Sequence, residues 1–377
     1  MSRPAKTVAI QPCTGDYRAV LPRLLSLAEA DDIVRPGDSV LIKPNLHAPQ
    51  DWTTGGTTPP ALVAALIEWA RSKGASRILV ADSPFMGNPR PEETFTLTGM
   101  AQAVEEAGAE WTVLTRHGYK LFRGVSPHLP AELGISRLVF EFDKLINVAI
   151  MKTHIDCLVT LGMKNLKGCI RNEDKAAFHQ TADINRALVA LNRILRPHLT
   201  LVDGTVGMEG IGPHAGTPPH FGHIFASLDT PAVDLVAASA MGVELDEART
   251  LKYAREEGML NPDAIRAVGE DVADIRRRFE RPYEAMMREL PGLRLQADGA
   301  CSACKLHAIR ALRENAQAGT PVPEALVVIG NQPSDEAEAL RLGRCAREAC
   351  PEGRCLPGCP PSVEKAREFL AGSSKGG

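Results

Sequence analysis

Nine cysteines are unevenly spread along this chain, and six of them follow residue 300: Cys301, Cys304, Cys345, Cys350, Cys355 and Cys359. Cys301-Ser302-Ala303-Cys304 is a CxxC pair at a loop-to-helix junction. That spacing lets two thiolates face one metal or cluster, and a helix N-terminus favours their negative charge. Cys359 sits in Gly358-Cys359-Pro360-Pro361. Gly358 permits unusual backbone angles, the prolines stiffen the ligand loop, and Cys-Pro is a frequent ending of iron–sulfur ligand runs. The expected ligands are Cys301, Cys304, Cys345 and Cys359, holding an iron–sulfur cluster of the 4Fe–4S type. Cys350 and Cys355 are then alternates, or ligands of a second metal. A structural zinc bound by four cysteines uses the same donors and is the main competitor. A thioredoxin-type redox pair would normally follow the first strand of a small sheet. Six unliganded thiols in so short a segment would be an oxidation hazard.

A second group of chemistry-bearing residues lies in loops expected to leave the carboxyl ends of strands, where open α/β sheets bind ligands. Lys43-Pro44-Asn45 follows Leu41-Ile42, and Asp82-Ser83-Pro84 follows Ile78-Leu79-Val80. Asp203-Gly204 follows Leu201-Val202 and continues through Gly207, Gly210 and Gly212 as a glycine-rich loop, which would present backbone N–H groups to an anion. It lacks the Gly-Lys-Ser/Thr ending of a nucleotide P-loop. The segment Met151-Lys152-Thr153-His154, with Gly162-Met163-Lys164-Asn165-Leu166-Lys167-Gly168, sets lysines and an asparagine among glycines. That composition suits a carboxylate or phosphate. Lys43, Lys152 and Lys164 are expected to neutralise the ligand, Asn45 and Asn165 to orient it, and His154 to move protons. Lys152 and Lys164 join His154 as the expected catalytic groups. Lys43, Asn45, Asp82, Asn165, Asp203, Gly204, Gly207 and Gly210 are the expected binding groups. The plain alternatives are solvated lysines, with Asp82 and Asp203 as turn formers or caps. His179, His214, His220 and His223 are further polar candidates, although lone histidines are usually neither ligands nor catalysts.

The elements that must position these residues alternate. Val8–Ile10, Ser39–Ile42, Arg77–Ala81, Lys144–Ala149, Leu199–Val202 and His223–Ser227 read as short buried strands. Tyr17–Ala30, Pro59–Lys73, Thr98–Ala107, Arg186–Leu195 and Ala232–Met241 read as helices between them. The expected fold class is α/β, a mostly parallel sheet with helices on both faces. Asp246–Glu289 reads as helical and charged. Pro291-Gly292 then opens a small cysteine-rich module, residues 291–371, with one strand at Leu326–Ile329. Residues 1–290 form the large domain, in one piece or as lobes 1–115 and 116–290, and 372–377 form a disordered tail.

With 377 residues, a formal net charge of −3 and 5% aromatics, the chain shows no basic field or base-stacking surface. Nucleic acid and membrane are therefore not expected partners. No apolar run approaches a membrane span, and Met1 to Lys6 leads directly into Thr7–Ile10. A cytoplasmic protein is expected, where thiols stay reduced and serve as ligands.

These residues resemble the DUF362 family of prokaryotic α/β proteins. The resemblance is carried by Pro36 through Asn45, Asp82-Ser83-Pro84, Lys152-Thr153-His154, Met163 through Gly168, Asp203 through Gly210, and Asp229 through Asp234, in order over roughly residues 6–260. It implies a shared α/β domain rather than a known reaction. Members often carry a ferredoxin-like segment, but the spacing CxxCxxCxxxCP is absent here, so that ligand pattern does not transfer. Gly358-Cys359-Pro360-Pro361 is similar to a cluster ligand in hydrogenase small subunits and in the cluster-bearing subunit of complex I. The large domain is more distantly similar to nickel-dependent lactate racemases, with no residue match that carries their catalytic groups over.

The expected function is an iron–sulfur oxidoreductase or electron-transfer protein, with a small anionic molecule as ligand and a redox partner protein. The alternatives are a non-redox binding protein with a structural zinc site, and a racemase or isomerase using lysine and histidine as acid and base.

Overall fold

A computed structural model describes residues 5–84, 90–180, 183–212, 216–297, 300–331, 333–350 and 353–372. His214, the His179 side chain and the tail beyond Gly372 lie outside the described residues. The chain forms two compact units, a large one running to Pro282 and a small one from Tyr283.

In the large unit the strands are β1 (Lys6–Pro12), β2 (Ser39–Lys43), β3 (Arg77–Asp82), β4 (Glu110–Val113), β5 (Tyr119–Arg123), β6 (Glu132–Ser136), β7 (Lys144–His154), β8 (Leu158–Thr160), β9 (Leu199–Met208), β10 (His223–Ser227) and β11 (Ile265–Gly269). Among the described residues, nine of them make one sheet in the order β11-β1-β10-β9-β7-β2-β3-β4, with β8 paired to β7. The β7–β2–β3–β4 and β7–β9 pairings are parallel, and β10 runs antiparallel to both neighbours. The sheet is thus mostly parallel, as the alternation of apolar runs and helices predicts. It also spans both halves of the large domain.

Successive side chains of a strand face opposite sides, and each side finds its own helices. Val40, Ile42, Ile146 and Val148 pack with Leu21, Leu24, Leu62 and Leu66 from the helices Tyr17–Leu27 and Pro60–Ser72. On the other face, Leu41, Leu79 and Leu145 pack with Leu188 and Leu191 of the helix Ile184–Ile194. Ala149, Met151 and Val202 pack with Val233 and Ala237 of the helix Thr230–Ala240.

Two expectations need correction. The charged segment Asp246–Glu289 is not continuously helical: it contains β11, an edge strand paired parallel to β1. Every residue of this edge strand is exposed or half-buried, so it lacks the buried apolar run that marks an inner strand. The strand at Leu199–Val202 also does not end at Asp203. The β-branched Thr205-Val206 carries it on to Met208, so Asp203, Gly204 and Gly207 are strand residues.

In the small unit, β12 (Leu295–Gln296), β13 (Val327–Ile329), β14 (Leu340–Leu342) and β15 (Cys355–Leu356) form a parallel sheet in sequence order. The helix Ser302–Gln317 follows β12 and is tied to the helix Val363–Ala371 by Asn315 Nδ2 donating to Arg367 O at 2.9 Å. Strands of two or three residues carry no periodicity, so only β13 was legible in the sequence.

Asp234 is a fold-level tie. This buried carboxylate reaches from the helix Thr230–Ala240 and accepts the backbone N–H groups of Gly162 and Met163, both at 2.7 Å. Those donors open the short helix Gly162–Asn165, which carries Lys164 and Asn165. Leaving a buried donor unsatisfied costs about 1–3 kcal/mol. Asp234→Ala is expected to lower unfolding stability by about 2 kcal/mol or more in urea titration, with native helix content by circular dichroism.

Candidate functional site

The strands that follow β2 in the chain leave to one side as β3 and β4, while β7 and β9 lie on its other side. The crevice at the carboxyl ends of β2 and β7 is therefore the topological switch point, where such sheets bind ligands. Lys43 ends β2, Asp82 ends β3 and Lys152 lies near the end of β7. The segment 162–169 returns over the same edge.

There the polar side chains form one network. Lys43, 1% exposed, pairs with Asp82 Oδ1 at 2.7 Å and donates to Pro44 O at 3.0 Å and Asn165 Oδ1 at 3.3 Å. Asp82 Oδ2 accepts from Leu46 N at 2.7 Å. Asn45 Nδ2 donates to Asn165 Oδ1 at 3.1 Å, and Lys152 Nζ donates to Asn45 Oδ1 at 2.5 Å and Gly56 O at 3.0 Å. Asn165 Nδ2 in turn reaches Asn147 Oδ1 at 2.8 Å. Gly168 makes this packing possible, since a Cβ there would fall 2.5 Å from Asp82 Oδ1 and 2.8 Å from Lys43 Nζ.

The structure thus brings together Lys43, Asn45, Asp82, Lys152 and Asn165. Lys164 is half-buried and close enough to act on Lys152. Burial, then the Lys164 charge, pushes the Lys152 ammonium down to about 7, with Lys43 adding and Asp82 opposing. Burial likewise holds Lys164 below the ordinary lysine range, against Cys157 and Asp156. His154, 4% exposed, accepts the backbone N–H groups of Asp156 at 3.1 Å and Cys157 at 3.2 Å on Nδ1. That geometry leaves Nε2 as the nitrogen that carries the proton.

Asp203 is engaged elsewhere. Its oxygens accept from Thr205 N at 3.2 Å, Thr205 Oγ1 at 2.9 Å and Tyr17 OH at 3.2 Å, and burial pushes its carboxyl up to about 7. Gly204 pairs with His223 in the ladder. The amides expected to cradle an anion are spent on carbonyls: Gly207 N on Pro219 O and Gly210 N on Glu280 O, both at 2.9 Å. His223 Nδ1 lies 3.0 Å from Phe221 O, and His220 is exposed.

Lys167 and Lys175 belong to the same electrostatic group and were not among the expected site residues. Lys167 is held well below the lysine range by burial and by Lys164 and Lys175. Lys175, on the helix Asn172–Gln180, donates to Ser83 Oγ at 2.7 Å, and burial pushes it down to about 8. Lys167 was visible beside Asn165 in the sequence. Lys175, in Asn172-Glu173-Asp174-Lys175, has the look of an ordinary surface helix.

In the small unit, all four expected ligands follow carboxyl ends of its parallel strands: Cys301 and Cys304 after β12, Cys345 after β14 and Cys359 after β15. Cys304 is 7% exposed, and its thiol is raised first by a hydrogen bond with Cys301, then by burial and the nearby Cys301, Cys359 and Cys345. Gly343 takes a φ of +106°, which side-chain-bearing residues rarely adopt, and so shapes the turn that follows β14 beside Cys304 Sγ. Arg344 N donates to Gly358 O at 2.8 Å, tying the Cys345 turn to the Cys359 loop. Cys355 is raised by burial, with Cys350 among the charges acting on it. Among the described residues, no group of three or more His, Cys, Asp or Glu side chains is placed to hold a metal ion. The side chains that act on Cys304 are all thiols, the donor type that thiolate-bound metals and clusters use.

Residues 40–239, more than half of the chain, match the family described as "Domain of unknown function (DUF362)". This chain is a DUF362 protein. A thylakoid-associated protein of Synechocystis, sll1697, is 32% identical over 262 residues, which span 66% of this DUF362 chain and 77% of the relative. Among solved structures, the lactate racemase apoprotein from Thermoanaerobacterium thermosaccharolyticum superposes with a TM-score of 0.42 at 12% identity, over 64% of this chain and 58% of that one. A likeness that low carries neither fold nor chemistry across. No helix among the described residues of this DUF362 protein is long and apolar enough to cross a membrane.

The buried charges give a pH signature. Asp203 and Asp234, both pushed by burial to about 7 from 3.8, bind protons more tightly folded than unfolded. Stability from these groups is present below the unfolded value and falls as pH rises to about 7. Lys152 and Lys175, pushed to about 7 and about 8 from 10.5, have the opposite imbalance, so stability rises with pH above those values. Buried Cys13, Cys157 and Cys169 begin to oppose that rise near 9. The ligand-free protein is expected to be least stable near pH 7, with a minimum in the urea midpoint between pH 5 and 8.5.

Proposed function

We propose that this protein binds a small anionic molecule at the lysine-lined sheet edge, carries an iron–sulfur cluster in its cysteine-rich unit, and acts as an oxidoreductase or electron-transfer protein. The observation that carries the reading is Cys304, a buried thiol hydrogen-bonded to Cys301 and electrostatically coupled to Cys345 and Cys359. Cys304 is buried, Cys301 is half-buried and Cys345 and Cys359 are exposed, so free thiols at this edge would be open to oxidation, and ligation would protect them. When bound, such a cluster supplies single-electron transfer or a Lewis-acidic iron. The same four sulfurs would also hold a structural zinc, so metal identity separates the redox protein from a non-redox binding protein.

The anion half of the proposal rests on charge. Lysines 43, 152, 164, 167 and 175 gather at one edge with Asp82 and Asp156 as the carboxylates acting on them. A second reading, acid–base isomerisation or racemisation, is favoured by Lys152: an amine near 7 can take a proton at neutral pH, and His154 stands two residues away on the same strand.

Anaerobically purified protein is expected to be brown and to contain iron and acid-labile sulfide. Replacing Cys301, Cys304, Cys345 or Cys359 by Ser should abolish metal retention, whereas replacing Cys350 or Cys355 should weaken it at most. A colourless protein holding one zinc would replace the redox reading with the binding-protein one.

A further inference from the structure

The buried cations of the large unit differ in what neutralises them. Lys43 has Asp82 at 2.7 Å. Among the described residues, Lys152, 1% exposed, reaches only neutral oxygens, Asn45 Oδ1 at 2.5 Å and Gly56 O at 3.0 Å. Among the same residues Lys175, 4% exposed, also reaches only neutral oxygens: Ser83 Oγ at 2.7 Å, with Ser83 O and Asn172 Oδ1 both at 3.3 Å. A buried ammonium facing neutral acceptors alone is expensive, and proteins normally pair it. Here two such ammoniums stand in one site.

They are also two separate poles. Lys152 lies near the end of β7, Lys43 ends β2, and Ser83, which receives Lys175, follows the end of β3, so the order β7-β2-β3 sets the Lys43–Asp82 pair between Lys152 and Lys175. Lys164 adds to the field at Lys152, while Asp156 and Cys157 act against it at Lys164. One carboxylate or phosphate on Lys152 and Lys164 would leave the far pole uncompensated.

We propose that the ligand carries two separate anionic groups, one held by Lys152 with Lys164 and the other by Lys175, across the Lys43–Asp82 pair. This rests on the anion-binding reading above and names the ligand class: a bisphosphate, a phosphorylated carboxylate or a dicarboxylate. Bridging both poles makes the second contact intramolecular, so a bis-anion gains over either half alone.

The test is isothermal titration calorimetry on the full chain at constant ionic strength. Inorganic phosphate and acetate serve as single anions, and methylenediphosphonate, 3-phosphoglycerate and succinate as bis-anions of the three kinds. At least one bis-anion is expected to bind tenfold or more tightly than either single anion. In Lys175→Met that preference should collapse towards one. If Lys175→Met does not fold, Lys175→Gln, which keeps a donor for Ser83 without the charge, reads the same collapse. Phosphate or acetate binding as tightly as every bis-anion overturns this proposal and leaves the anion site standing. No binding by any of the five probes overturns both. A preference for a bis-anion that survives in both lysine variants also overturns the two-pole arrangement.

Discussion

The Lys43–Asp82 ion pair, buried at the carboxyl ends of two adjacent parallel strands, is the contact around which this edge is arranged. A carboxylate removed from water must be paired or hydrogen-bonded, and Asp82 satisfies both requirements through Lys43 and the Leu46 amide. Lys43 then reaches Asn165, Asn165 reaches Asn45, and Asn45 receives Lys152. Each step uses a directional hydrogen bond, so the positions of three further side chains follow from one pair. Gly168 must be a glycine for the same reason, because the pair occupies the space a side chain would need.

That economy does not extend to charge. The pair neutralises one lysine, whereas among the described residues Lys152 and Lys175 reach only neutral oxygens. Burying such ammonium groups lowers stability, and in the proposed role a ligand that brings negative charge would recover that cost. In the cysteine-rich unit Cys301, Cys359 and Cys345 act on the buried Cys304, and in the proposed role a cation among them would offset the repulsion of their thiolates.

Much of this was legible in the sequence where chemistry and local punctuation coincide. Lys43-Pro44-Asn45 and Asp82-Ser83-Pro84 stand directly after buried apolar runs, which marks strand ends. Lys152 and Asn165 are polar residues among glycines. Cys301, Cys304 and Cys359 stand out through the CxxC spacing and the Gly-Cys-Pro-Pro turn, whereas nothing local marks Cys345 over Cys350 or Cys355, and the ligation of all four is a proposal. Asp203 was misread because Asp-Gly usually signals a turn, whereas the following Thr205-Val206 propagates the strand and Tyr17, distant in sequence, supplies its partner. Lys175 was invisible because nothing local distinguishes a helix lysine facing Ser83 from one facing water. Tertiary packing alone makes that difference.

The claim that Lys152 is kept for a ligand, at a cost to the fold, is tested most directly by Lys152→Met. Methionine fills similar volume without a charge, and replacing a buried uncompensated charge by an apolar side chain stabilises. Thermal unfolding of both proteins should be followed at pH 6, below the Lys152 value of about 7, with and without the anion that binds. The account predicts a variant with a higher melting temperature than the parent and no upward shift on adding the anion. A variant that melts lower than the parent and still responds to the anion would contradict it, and Lys152 would be a structural residue.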